Sequence, residues 1–278
     1  MQRILTALVG TPLILLALFK LPGWWWFALM AFFIDWAAYE YLAIVRPRAQ
    51  RAPLKVLLVL APLGAYALSV ALSGEPHVPD VLDLRLHLMA WALVLSVGLG
   101  TLLLLSRTPL EETLAALGIL GFGIPYFALP IAAIHQLQVI SPWVVLLLMG
   151  IVWLGDTAAY YVGSRFGRHK MAPTISPKKS WEGAAASLAI ALVAAAVWSA
   201  WQLHRVDLGL LAVAAVTAVA AQIGDLVESM IKRGTGVKDS GNVLPGHGGL
   251  LDRLDAMLFA APVLLFGIWL FELDVVPK

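Results

Sequence analysis

Long apolar runs separated by short polar breaks dominate this chain. Nine can be traced, at 4–19, 22–45, 54–73, 87–105, 113–136, 142–163, 184–203, 208–226 and 256–272. Each approaches the about 20 residues that a helix needs to cross a bilayer core. A buried helix of a soluble protein competes for any single run, above all the last three, which are rich in Ala, Leu and Val. Nine in succession argue against it. The pattern predicts an all-α, polytopic integral membrane protein with about nine transmembrane helices. Pro125 and Pro130 fall inside the fifth run and leave room for a broken or re-entrant helix there.

Composition agrees. Hydrophobic residues make up 61% of the chain, charged residues 13%, and the mean hydropathy is +0.87. Soluble domains are about half apolar and a quarter charged. The basic residues set the orientation. Arg3, Arg46, Arg48, Arg51, Lys55, Arg107, Arg165, Arg168, Lys170, Lys178, Lys179, Lys232, Arg233, Lys238 and Arg253 all fall on one side of a nine-span chain. Of the 19 Lys and Arg, only Lys20, Arg85, Arg205 and Lys278 fall on the other. The positive-inside rule then predicts a cytoplasmic N-terminus and an external C-terminus. The net charge of +2 says little, but its one-sided placement favours anionic lipid headgroups. The first run follows Arg3 like a signal sequence, yet Lys20 and Pro22 stand where a cleavage site would, so it reads as a retained anchor. Trp24, Trp25, Trp26 and Phe27 open the second run, where an interfacial belt or lipid-facing packing is expected. With no cysteine, thiol catalysis, thiolate zinc sites and disulfides are excluded.

The polar residues are unevenly spread. Region 1–140, read as the N-terminal transmembrane helices, is chemically quiet apart from Asp35 and Glu40 inside the second run. An acid there is a functional candidate unless it reaches water at the helix end. Region 141–278 carries nearly all the rest. It reads as a C-terminal transmembrane catalytic region, either separate or part of one membrane domain, and three of its segments, all assigned to the cytoplasmic side, matter.

The first is Asp156 to Gly163, where Asp156, Tyr160 and Gly163 share a helix face. A structural ion pair weighs equally with a functional role for this acid. The second runs from Ile175 to Gly183. Ser176 and Pro177 give an extended turn, Lys178 and Lys179 follow, and Glu182 opens the next helix. Lysines before a helix N-terminus suit phosphate, although an ordinary basic loop explains their spacing better.

The third begins at Gly224. If the helix continues, Asp225, Ser229 and Lys232 share a face, with Glu228 beside them. Asp252 and Asp255 lie three apart where the last helix begins. Asp225 and Asp252 flank a hydrophilic loop and can converge on a divalent ion. Magnesium is the natural choice, since it takes one or two carboxylates, waters and substrate phosphates. Gly234, Gly236, Gly241, Gly246, Gly248 and Gly249 let backbone N–H groups approach phosphate. Lys232, Arg233, Lys238 and Arg253 can spread over a polyphosphate, and His247 can position phosphate or act as an acid. A solvated loop of self-neutralising charge is the competing reading, but it leaves the dense mixture at both helix mouths unexplained. No Walker A sequence and no two-histidine zinc motif is present. The residues point to phosphoryl or nucleotidyl transfer with an oxygen-ligated metal.

From Ser229 onward the order is Lys232-Arg233, Lys238-Asp239, Gly241, His247-Gly248-Gly249, Asp252-Arg253 and Asp255. This resembles the signature of the phosphatidate cytidylyltransferases (CDP-diacylglycerol synthases). The upstream segments, Asp156 to Gly163 and Ser176-Pro177-Lys178-Lys179 with Glu182-Gly183, resemble the same family, with Ser180 where its pattern has Thr. The likeness covers residues 150–260; the N-terminal runs match only in kind, with Glu40 at a plausible family position. It implies that CTP and phosphatidate give CDP-diacylglycerol and pyrophosphate at a bacterial inner membrane, with the site facing the cytoplasm. It implies magnesium at Asp225 and Asp252, with potassium as an optional second cation. It also suggests a homodimer, with membrane lipids and no nucleic acid as partners.

Phosphatidate's second phosphate pKa of about 6–7 leaves it largely dianionic and already nucleophilic at neutral pH. The difficulty is its repulsion from CTP. On this reading Asp225 and Asp252 place magnesium, while Lys232, Arg233, Lys238 and Arg253 bind phosphates and Lys178 and Lys179 add to the field. Ser229 ligates an ion or phosphate, and Asp239 and Asp255 orient basic side chains. Two alternatives remain: a sister cytidylyltransferase for another lipid phosphate, and a secondary transporter. A transporter predicts polar residues near the midplane and paired repeats, whereas here they gather at one face. A CDP-alcohol phosphotransferase would need an Asp-Gly-x-x-Ala-Arg start, which is missing.

Overall fold

The structure, a computed structural model, describes residues 2–45, 110–243 and 248–275. The expected spans at 54–73 and 87–105, the basic residues Arg46, Arg48, Arg51, Lys55 and Arg107, and His247 lie outside the described residues. The elements in order are α1 (Gln2–Lys20), α2 (Gly23–Ile44), α3 (Leu110–Ile140), α4 (Pro142–Phe166), β1 (Lys170–Ala172), β2 (Ser176–Ser180), α5 (Trp181–Gln202), α6 (Leu208–Gly234) and α7 (Leu251–Leu270). Among the described residues the protein is helical apart from one two-stranded antiparallel ribbon that pairs Lys170 with Ser180 and Ala172 with Ser176.

Among the described residues six helices, α2 to α7, are long and apolar enough to cross a membrane. The apolar part of α1 is the shorter segment Gly10–Lys20. The helix α3 runs unbroken through Pro125 and Pro130, against the break those prolines suggest. Ile124, Tyr126, Phe127 and Ile131 around them are buried, so packing holds the helix straight enough to continue.

The chain divides into two compact units, Met1–His135 with Asp239–Leu254, and Gln136–Lys238 with Asp255–Lys278. The short segment 239–254 therefore belongs to the first unit. In the first unit the core holds Leu18, Trp26, Ile34, Leu120, Ile124 and Phe127. Trp26 is thus an internal side chain, while Trp25 stays half-exposed. Tyr41 of α2 donates its hydroxyl to Ile119 O at 3.3 Å and packs edge-on against Phe127 of α3.

In the second unit α4 packs mainly on α5, and α5 on α6. The α4–α5 crossing is made of small residues. A Cβ on Gly183 would stand 2.8 Å from Ala159 O and 3.3 Å from Gly163 Cα. In lipid, where no hydrophobic gain separates one apolar surface from another, such backbone approach supplies the packing. The starts of α4, α5 and α6 are capped: Ser141 accepts from Trp143 N at 3.3 Å, Ser180 from Gly183 N at 3.2 Å, and Asp207 from Leu210 N at 3.0 Å. Trp198 donates to Trp143 O at 2.8 Å near one end of α4, and exposed Tyr160, Tyr161, Phe166 and Trp181 ring the other.

Because backbone cannot yield at the α4–α5 crossing, Gly183→Ala is expected to destabilise the protein by about 1–3 kcal/mol. Gly150→Ala, whose Cβ meets nothing within 4 Å, is expected to leave stability unchanged or raise it. Thermal unfolding in detergent reads both; equal midpoints for the two variants would contradict the close crossing.

Candidate functional site

The second unit builds one polar surface from the ribbon and α6. The ribbon is short and leads straight into α5, so Ser180 is at once its last residue and the cap of that helix. The departure from Thr at this position keeps the hydroxyl that the cap uses. Trp181 N donates to His169 O at 2.9 Å, and Glu182 accepts from His169 N at 3.1 Å and lies 2.7 Å from its Nδ1. Glu182, a candidate for substrate binding, is thereby engaged in holding the ribbon's first strand. From the second strand, Lys179 Nζ lies 2.6 Å from Asp225 Oδ2 and donates to Gln222 O at 3.5 Å. Gln222 donates to Ala184 O at 3.2 Å, and Arg233 Nε donates to Ile175 O at 3.4 Å. Both members of the Lys179–Asp225 pair are partly exposed, at 24% and 34%. Such a pair contributes about 0–1 kcal/mol, so it orients these groups more than it stabilises the fold. Ser176 begins β2 and Lys178 projects from it, exposed.

The helix α6 continues past its apolar run to Gly234, which puts Asp225, Ser229 and Lys232 in register along it. Ser229 donates to Asp225 Oδ1 at 3.5 Å. Lys232 takes a different partner from the one its face suggests: its Nζ lies 2.5 Å from Glu228 Oε2, and the Glu228 side chain is 1% exposed. Removing Lys232 would leave a buried charge, a change that costs about 3–5 kcal/mol. Glu228 is a residue the motif does not contain; its signal was the i, i+4 spacing to Lys232. Asp255, early in α7, lies within electrostatic reach of Asp225, Glu228 and Asp156. Asp156 itself is exposed on α4.

Among the described residues no three His, Cys, Asp or Glu side chains stand close enough to form a ready metal cage. The donors available around Asp225 are nevertheless oxygens, from acids and from the Ser229 hydroxyl. That chemistry fits a hard cation such as magnesium, which keeps most of its waters and needs one or two carboxylates.

The first unit holds the loop part of the motif. Asp239 and Arg253 are exposed. Asp252, a candidate metal ligand, accepts at Oδ2 from Ser240 N at 3.0 Å and Gly249 N at 2.8 Å. It therefore ties the loop's entry to its exit just where α7 begins. Glu40 of α2 does the same from below. Its carboxylate, 3% exposed as a residue, accepts from Ser240 Oγ at 2.9 Å, Leu250 N at 3.1 Å and Leu251 N at 2.9 Å. Hydrogen bonds to a charged group contribute about 1.5–3 kcal/mol each. Two motif glycines leave room for this carboxylate: a Cβ on Gly241 would lie 2.6 Å from Glu40 Oε1, and one on Gly249 would collide with Ser240 Oγ and Glu40 Oε2. Glu40 was visible in the sequence as an acid inside an apolar run, but nothing local named its partners.

Comparison with known proteins agrees with the motif. The chain matches the cytidylyltransferase family over residues 1–271. It is 35% identical over 279 residues to the phosphatidate cytidylyltransferase of Pseudomonas aeruginosa, with 96% of each chain covered. The Haemophilus influenzae protein of the same name is 31% identical over 282 residues, covering 94% of this chain and 96% of that one. The Bacillus subtilis phosphatidate cytidylyltransferase is 47% identical over 123 residues, which is 44% of this chain and 46% of its own. The likeness runs nearly from end to end at lower identity and rises in a shorter stretch. The chain belongs to the cytidylyltransferase family.

Proposed function

We propose that this protein transfers the cytidylyl group of CTP to phosphatidate, giving CDP-diacylglycerol and pyrophosphate for phospholipid synthesis. The observation that carries the reading is the near full-length likeness to proteins named for that reaction. A phosphate oxygen of phosphatidate attacks the α-phosphorus of CTP. A new P–O bond forms, the bond from the α-phosphorus to the oxygen bridging to the β-phosphorus breaks, and its electron pair leaves with pyrophosphate. The nucleophile is already largely deprotonated at neutral pH, so the protein's task is positioning and charge neutralisation.

Magnesium, when bound, would offset the triphosphate charge and polarise the α-phosphorus. Asp225 is the residue best suited to hold it, with Asp252 as the second proposed ligand and Ser229 within reach of Asp225. Lys179, already drawn to Asp225, is suited to follow a phosphate that competes for it. Arg233, Lys238, Arg253 and Lys178 supply further positive charge, and Lys232 is held by Glu228 until substrate arrives. Asp239 and Asp255 orient basic groups. Ser176, Asp156 and Glu182 shape the ribbon side of the site, and His247 acts on phosphate. The site faces the cytoplasm, where CTP is, in a multi-pass bacterial inner-membrane protein with a cytoplasmic N-terminus and a homodimeric state. The bias of Lys and Arg to one side supports that orientation.

Purified protein supplied with CTP and magnesium is expected to release pyrophosphate only when phosphatidate is present, and a chelator is expected to stop it. Phosphatidate-independent release, or turnover only on a different lipid phosphate, would overturn the substrate assignment. Asp225→Asn is expected to lower kcat by about 10²–10³-fold, the scale for deleting a preorganised electrostatic contact. Near-normal turnover in that variant would remove Asp225 from the centre of the reaction. A reporter fused after Lys278 is expected outside the cytoplasm, and a cytoplasmic reporter would reverse the proposed topology.

A further inference from the structure

We propose that Glu40 is a positioning residue for the motif: its carboxylate joins Ser240 to Leu250 and Leu251, so that the flanking Asp239, Asp252 and Arg253 are presented in one fixed arrangement. The proposal rests on the reaction assigned above for its kinetic consequence, but the clamp itself does not.

Three observations carry it. The first is that one side chain bonds both ends of the loop. Ser240 lies at the entry, 200 residues from Glu40, while Leu250 and Leu251 lie at the exit, 210 and 211 residues away. The second is the identity of the donors. Leu250 N and Leu251 N sit at the start of α7, where the first N–H groups of a helix have no partner within it. A carboxylate there satisfies them and meets the positive end of the helix dipole. Glu40 is thus a cap delivered from another helix. The third is the space kept for it, since a methyl group on Gly241 or Gly249 would strike the carboxylate.

Asp252 completes the device. Its Oδ2 binds Ser240 N and Gly249 N, the same two stretches that Glu40 holds through Ser240 Oγ and the next two amides. Arg253 follows directly, and Asp239 precedes Ser240. Loosening the clamp therefore displaces motif residues on both sides of it without deleting any of them. Glu40 touches no reacting atom on this account; it acts through the loop. A glutamine keeps the volume but turns one acceptor into a donor that faces N–H groups, so it cannot reproduce the set.

The test uses the full chain in detergent or nanodiscs. Backbone hydrogen exchange is compared for wild type and Glu40→Gln. Faster exchange at Leu250 and Leu251, with unchanged protection along α3, is expected; unchanged protection at both amides overturns the clamp. Turnover with CTP and phosphatidate is then measured per folded molecule. Glu40→Gln is expected to lower kcat by about 10²-fold, the scale of a small misplacement of catalytic groups, with little change in KM for CTP. Ser240→Ala is expected to lower kcat by a smaller factor, and the double variant to be no worse than Glu40→Gln, because both act through one contact. Loosened amides with normal kcat would make Glu40 structural only and overturn the positioning role. A wild-type protein that shows the protection but makes no CDP-diacylglycerol would sink the assigned reaction while leaving the clamp standing.

Discussion

A polar group inside an apolar helix must find its partner within the protein, because lipid offers none. That constraint organises this molecule. Glu40 in α2 meets it with two backbone amides and a hydroxyl. Glu228 in α6 meets it with Lys232, and Asp225 meets it with Lys179. Each solution fixes something else. The first shapes the start of α7, the second holds a motif lysine against its own helix, and the third ties a ribbon to α6. The polar residues are therefore both the candidate chemistry and the framework that aims it.

The electrostatics of the second unit follow. Asp156, Asp225, Glu228 and Asp255 crowd one neighbourhood, and Lys179 and Lys232 answer two of them. Such a surface concentrates negative charge beside a ribbon that carries Lys178 and Lys179. It also gives the lysines two alternative partners, an acid of the protein or a phosphate of the substrate. The Lys179–Asp225 contact is weak enough to exchange, at about 0–1 kcal/mol. The Lys232–Glu228 contact is buried and resists exchange more strongly.

Much of this was legible in the sequence, and what was not has physical causes. Apolar length alone placed α4 to α7, because a bilayer demands uniform runs. Their ends moved by a turn or more wherever polar residues extend a helix beyond the lipid-like stretch, as Lys232 and Arg233 do in α6. The prolines in α3 suggested a break because a local rule was applied to a helix held by its neighbours. The ribbon at 170–180 was read as a basic loop, since three- and five-residue strands leave almost no periodic signal. The motif acids stand out in the sequence by their spacing. Their partners were not, because an ion pair such as Lys179–Asp225 joins segments whose approach no local pattern encodes. The same holds for Glu40, which an apolar background marked as unusual without saying what it holds.

That last contact has a consequence for how the protein comes into being. Chains are made from the N-terminus, so the acid on α2 is already in the membrane long before the loop that it holds leaves the ribosome. Glu40 cannot complete its contacts until the start of α7, with the Leu250 and Leu251 amides, has been made. The Glu40 contacts therefore wait for the start of α7, and a chain cut short before residue 250 lacks the amides that complete them.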